Sequence, residues 1–301
     1  MKPKLCLGAM AVLVALTGVS CGGGGEEDAA STAAPESGAG GGAASFEQPF
    51  TGEAYPVFAS SEIVRGENRL LIGLLNDEDA PIAEPGISMH VAFYDLAETA
   101  ERPAFETDAE FIDTGPRGLY VTYPTFESAG KWGAEVTVEG SGLQETVRAS
   151  FEVAEEGATP AVGAPVPPSK TPTAHGKGLR DITTDTRPDP DFYRTSVADA
   201  VKSGRPFVVT FATPKFCTSA VCAPTLDIVK KESKDWPGVE FIHVEVYELD
   251  DTDNLDPVDA VMEWGLPSEP WVFVVDAEGK LAAKFEGTVS RDELADALAG
   301  V

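Results

Sequence analysis

The chain has 301 residues, with 50 acidic and 22 basic side chains and a formal net charge of −28. A nucleic-acid binder needs a basic surface that displaces phosphate counterions, so this balance excludes that class and reads as solubility. The carboxylates are scattered and not set at calcium-loop spacing, so neither a metal nor a cofactor is expected.

In chain order, Lys2 and Lys4 precede an apolar run over 5–19. A basic start and a short apolar stretch predict a signal peptide over 1–20, too short for a typical membrane span. The run ends in Gly18-Val19-Ser20-Cys21, which resembles a bacterial lipobox. That resemblance implies an exported protein whose Cys21 is lipidated and anchors it to the cell membrane. Gly18 stands where the lipobox has Leu, and an ordinary secretory signal is the alternative. Residues 21–45 then form a Gly-, Ala- and Glu-rich spacer of the kind an anchor needs. No later segment is apolar enough to span a bilayer.

Of the four cysteines, Cys6 leaves with the signal peptide and Cys21 is taken by lipid, so Cys217 and Cys222 remain. Disulfides persist outside the cytoplasm, and an even count at close spacing predicts that these two pair.

Residues 46–155 read as an all-β sandwich, immunoglobulin-like. Short runs at 69–75, 87–94, 118–123, 131–138 and 146–153 are rich in branched and aromatic residues and separated by Gly, Pro, Asp and Asn. Trp132, Ala134, Val136 and Val138 alternate with polar partners. Met89 and His90 are adjacent in a strand and so point to opposite faces, which favours an ordinary strand over a copper pair. Ser128–Trp132 loosely resembles a turn of exported copper-resistance modules, without their ligands. Residues 156–190 hold seven prolines and predict a semi-extended linker, its last third packed on the next domain.

Residues 191–301 predict an α/β domain. A helix over 196–202 is followed by an apolar strand over 206–211, the cysteines, and a helix reaching 234. A strand over 239–247, a helix over 257–264 and strands over 271–276 and 281–286 come next. Ser290 and Glu293 form a capping box for the last helix, where Leu294 and Leu298 share a face.

Two stretches carry a family resemblance. Phe211-Ala212-Thr213-Pro214-Lys215-Phe216-Cys217 resembles the strand-loop-cysteine-helix of the thioredoxin superfamily. Gly265–Lys280, with Pro270 opening a strand that ends in Asp276-Ala277-Glu278-Gly279, resembles that family's second hallmark, a proline usually cis. The resemblance covers 185–301 and implies a thioredoxin-like fold and a membrane-anchored, extracytoplasmic thiol–disulfide oxidoreductase. Its catalytic residues would be Cys217 as attacker, Cys222 as resolving partner and Pro270 as a backbone contact. Its partners would be client protein thiols or disulfides or a redox protein. A helix N-terminus favours the thiolate of a cysteine, with Lys215 as an added charge.

The sequence departs from that pattern. The spacing is Cys-x4-Cys, Thr210 stands where the family has a buried acid, and Phe216 replaces Trp. Five residues of regular helix rise ~7.5 Å, beyond the ~7 Å that a disulfide's Cα atoms tolerate, so closure needs Cys217 before the helix or an irregular first turn. The pair is also similar to that of bacterioferritin-comigratory-type peroxiredoxins, although Thr213 lies one residue too far away and the helper Arg is missing. A copper chaperone needs a distant His; His243 is in mid-strand and His175 is in the linker. The non-enzymatic alternative is a surface binding or scaffold lipoprotein with a structural disulfide. A loop this short removes little chain entropy, which tilts the sequence reading towards catalysis.

Overall fold

The structure is a computed structural model, and it describes residues 46, 52–113 and 118–301. The predicted signal peptide, Cys21 and the spacer lie outside the described residues.

Alternation builds the first half. Strands β1 (Ala54–Phe58), β2 (Gly66–Glu67), β3 (Leu70–Asn76), β4 (Ser88–Asp95), β5 (Phe105–Ile112), β6 (Leu119–Thr122), β7 (Thr125–Phe126), β8 (Gly130–Gly140) and β9 (Leu143–Val153) follow in order. In β8, Trp132, Ala134, Val136 and Val138 are buried, while Lys131 and Glu139 face solvent. Seven strands form one antiparallel sheet in the order β1-β3-β6-β5-β4-β8-β9; β2 and β7 make a separate small ladder. The sheet curls until its two edges meet, with the Phe58 and Phe151 rings 5.2 Å apart. Phe93, Phe126 and Trp132 fill the interior edge-to-face or tilted, at geometries that aromatic pairs prefer.

The second half comprises α1 (Val197–Ser203), β10 (Phe207–Ala212), α2 (Cys222–Glu232), β11 (Glu240–Glu245), α3 (Asp259–Glu263), β12 (Trp271–Val275), β13 (Leu281–Glu286) and α4 (Arg291–Leu298). Ser196 caps α1 and Gly204 ends it at φ +65°, a left-handed conformation that glycine adopts without strain. Ser290 and Glu293 form the capping box of α4. The strand order is β11-β10-β12-β13. β10 runs parallel to β11 and antiparallel to β12, and β12 runs antiparallel to β13.

The fold differs from the one the sequence predicts. The expectation was an α/β, thioredoxin-like C-terminal domain behind a β-sandwich. Among the described residues the chain is predominantly β, with thirteen strands against four α-helices of 7, 11, 5 and 8 residues. Helices this short persist only as covers packed on a sheet. The apolar run over 206–211 predicts a buried strand of the parallel type, and β10 at Phe207–Ala212 is buried throughout. Burial on both faces does not reveal the direction of its neighbours, and one of the two is antiparallel.

Segment 163–166 lies along the outer edge of β13. Leu281 N–H donates to Ala164 O (2.9 Å), and Gly163 N–H donates to Leu281 O (2.7 Å). Val166, Ser169 and Thr171 are buried. On the far edge the Pro190–Tyr193 turn packs against β11, with the Phe192 and Phe241 rings 5.8 Å apart. The described residues fall in one compact unit. Charged groups join its two sheets. Arg69 Nε contacts Glu293 (2.5 Å), and its two Nη atoms donate to the carbonyls of Glu286 (3.1 Å) and Thr288 (2.8 Å). Lys284 Nζ donates to Glu62 (2.6 Å) and Thr159 (2.8 Å), and Ser61 N–H donates to the Glu286 carboxylate (2.9 Å).

Candidate functional site

The cysteine loop leaves the end of β10. Cys217 N–H donates to Thr213 O (3.1 Å), and Ala220 at φ +60° turns the chain so that α2 starts at Cys222. Cys217 therefore precedes the helix. The two cysteines are joined by a disulfide with Cα atoms 6.1 Å apart. Cys222 is fully buried, and its N–H donates to Cys217 Sγ (3.3 Å). The Ser219 hydroxyl is also 3.3 Å from that sulfur. Among the described residues no acid, base or cation is hydrogen-bonded to either sulfur. The Lys215 ammonium sits 4.8 Å from the centre of the Phe216 ring, a cation–π seat.

Pro270 follows a cis peptide bond at Glu269 and is buried at the start of β12. Its carbonyl accepts from Gly287 N–H (2.8 Å), and Gly287 O accepts from the Thr225 hydroxyl (3.4 Å) on α2. The helix of Cys222 and the strand of Pro270 thus share Gly287.

Two buried titratable groups on β11 lie beneath this loop. Glu245 accepts from both the N–H and the hydroxyl of Thr184 (2.7 Å each), and Thr184 Oγ1 accepts Lys215 N–H (3.2 Å). This chain of bonds ties the loop's backbone to the sheet. Burial pushes the Glu245 carboxyl up from its ordinary value. His243 Nε2 donates to Ala212 O (3.0 Å), and Nδ1 accepts from the Tyr193 hydroxyl (2.7 Å). Burial depresses its pKa to about 4, so it is neutral and structural at pH 7. His90 is half exposed and bonds Asp108 through Nδ1 (2.8 Å), while Met89 is buried on the other face. No group of three or more potential metal ligands gathers among the described residues.

The His243 geometry sets an acid limit. A depressed folded-state pKa means that the unfolded chain binds the proton first. Its contribution is present above about pH 6.5 and is lost as pH falls from there towards 4. Between pH 7 and 5 the wild type is expected to lose about 2 kcal/mol relative to His243→Gln. Urea unfolding of both proteins at the two pH values checks this. Glu245 and Glu286 titrate in the opposite sense, and the paired comparison cancels them.

The second feature is a cleft of about 490 Å³ between the two sheets. Its lining includes Glu62, Arg69, Tyr123, Val162, Lys284 and Phe285. Tyr123 and Val162 are large apolar groups left 56% and 63% exposed. The Tyr123 ring is exposed but its hydroxyl turns inward and donates to Glu293 (2.7 Å), and desolvation of that hydroxyl together with the carboxylate raises its pKa. Arg69 stacks over Phe285 at 5.5 Å. Burial raises the Glu286 carboxyl, against the bonds it accepts from Ser61 and Ser268. The sequence reading missed this junction entirely. Arg69 and Glu293 lie 224 positions apart, and no local pattern connects them.

No family model and no curated protein matches the chain. Nine solved chains do. The filamin domain of Lin-41 matches 36% of this chain and 98% of its own, at 11% identity and a TM-score of 0.21. The Escherichia coli adhesin FdeC matches 40% of this chain and 37% of its own, at 15% identity and a TM-score of 0.22. MtrC from Shewanella baltica OS185 matches 38% of this chain and 24% of its own, at 15% identity and a TM-score of 0.24. They establish no family membership. The resemblance drawn from 211–217 and 265–280, and the redox activity that it implied for Cys217, Cys222 and Pro270, are corrected on the structure of the chain itself. The described chain is β-rich, and its cysteine pair is a closed disulfide.

Proposed function

We propose that this protein is a non-enzymatic binding or scaffold protein in which Cys217–Cys222 is a structural staple. In this reading Cys21 carries the lipid that holds it at the outer face of the cell membrane. The cleft between the two sheets carries the proposal. It has the size of a ligand site, exposed apolar groups at its rim, and walls fixed by buried ion pairs. The surroundings of the sulfurs support it, because among the described residues a hydroxyl and a backbone N–H are the groups hydrogen-bonded to them, and neither serves as a general acid or base near neutral pH.

Removing the staple as Cys217→Ser with Cys222→Ala is expected to cost about 2 kcal/mol and leave a folded protein, since the closed loop is short. Chemical unfolding measures the loss. The functional test is reduction of insulin disulfides by dithiothreitol with and without the protein. The expected result is no acceleration. Turnover that Cys217→Ser abolishes would overturn the reading.

A further inference from the structure

We propose that the outer edge of β13, from Ala282 to Glu286, takes up an extended segment of a partner polypeptide as an added strand. This rests on the binding reading above and names the chemistry of its partner. Successive side chains of a strand point to opposite faces, so a cavity on one face touches every second residue. The cleft touches five in a row: Ala282, Ala283, Lys284, Phe285 and Glu286. It therefore runs along the edge of the strand.

The ladder fixes which backbone groups look outward. On its inner side β13 pairs antiparallel with β12, and Gly287 N–H donates to Pro270 O (2.8 Å). The alternation of an antiparallel ladder then turns Phe285 and Ala283 towards β12 and leaves Glu286 and Lys284 facing out. The Glu286 end agrees, since its carbonyl accepts from Arg69 (3.1 Å). At the other end the ladder shifts register between Val274 and Val275, which reverses the alternation, so Leu281 also faces out and exchanges hydrogen bonds with Gly163 and Ala164. Between them, among the described residues, no partner takes the N–H or C=O of Lys284.

The chain already adds a short strand to this edge. Pro165 pairs antiparallel with Lys280, and Val166 N–H donates to Gly279 O (3.0 Å). The Ala164 N–H to Ala161 O turn (3.0 Å) then carries the chain off the edge at Val162. An incoming segment would continue that strand over a further five residues, about 16 Å. Open strand edges pair readily with extended peptides, through main-chain bonds for affinity and alternate side chains for specificity. An apolar side chain on the partner would cover Tyr123 and Val162. Glu67 lines the same cleft, is exposed and has no ion-pair partner among the described residues, so a basic residue on the partner complements it.

The probe is a panel of capped hexapeptides alternating small or branched apolar residues with threonine or lysine, titrated into the full chain. Each binder is also made in versions N-methylated at one backbone nitrogen. The expected result is saturable binding that N-methylation weakens roughly tenfold at every second position and less than about twofold at the others. Lys284→Pro and Lys284→Ala both lose the ion pair with Glu62, and only Lys284→Pro also loses the outward N–H at an edge position, where proline is tolerated; Lys284→Pro should therefore bind at least about tenfold more weakly than Lys284→Ala. If Lys284→Pro does not fold, the N-methyl series decides alone. No saturable binding, or binding indifferent to the methylation pattern, overturns strand addition. Either failure leaves the insulin result standing, whereas turnover in that assay would sink the broader reading and leave any alternating methylation pattern in place.

Discussion

Replacing Arg69 with methionine is expected to destabilise the protein by about 3–5 kcal/mol, because it leaves a carboxylate buried without its cation. The Arg69 and Glu293 side chains are only 9% and 12% exposed. Glu293 accepts two bonds from Arg69, one from Tyr123 and one from Ser290 N–H, so its carboxylate is fully committed to this junction. Burial pushes the Glu293 carboxyl up, but the guanidinium more than offsets this and holds it below its ordinary value. A lowered folded-state pKa contributes stability that is present above the unfolded value near 4.3 and is lost as pH falls through the folded one. The gap between wild type and Arg69→Met should therefore be largest at pH 7 and shrink below about pH 4. Urea unfolding at pH 7 and pH 3.5 measures both. An equal gap at the two pH values would mean that Arg69 acts by packing over Phe285, not by charge.

Trp264→Ala is expected to cost a similar amount, about 3–5 kcal/mol, through the cavity left in the second core. Trp264 is fully buried, with its ring 4.8 Å from that of Phe273 and 5.3 Å from that of Phe211. Its Nε1–H donates to the Ser169 hydroxyl (3.1 Å), which in turn donates to Glu263. One side chain thus fills the core under β10 and β12 and pins the proline-rich segment against it. Trp264→Phe keeps most of the apolar volume and loses the hydrogen bond, so it should cost about 1–3 kcal/mol. Denaturant midpoints of the two variants separate packing from hydrogen bonding.

Regular alternation and apolar runs were legible in the sequence, and relations between distant residues were not. β8 could be read from Trp132, Ala134, Val136 and Val138, because one face is core and the other is wet. β5 could not. Glu106, Asp108 and Glu110 hold its exposed positions, and only Ala109 and Ile112 are buried. Acidic residues are poor strand formers by propensity, and here position in the sheet overrides that preference. The pairing of Cys217 with Cys222 followed from counting cysteines. Their role did not, because a local motif specifies a turn before a helix, and a staple and a working thiol pair both fit that turn. Glu245 closes the apolar run Phe241–Val244 on β11, a weak mark of a buried carboxylate. The cleft depends on Arg69, Glu286 and Glu293 meeting across the fold, and only the tertiary structure brings them together.

The redox midpoint of Cys217–Cys222 bears most directly on whether this protein binds or exchanges thiols. The protein would be equilibrated against dithiothreitol buffers of graded potential, and free thiols trapped and counted. A structural bond stays oxidised until the potential falls below roughly −300 mV, and that is the predicted result. A reversible two-thiol transition between about −120 and −270 mV would contradict the account.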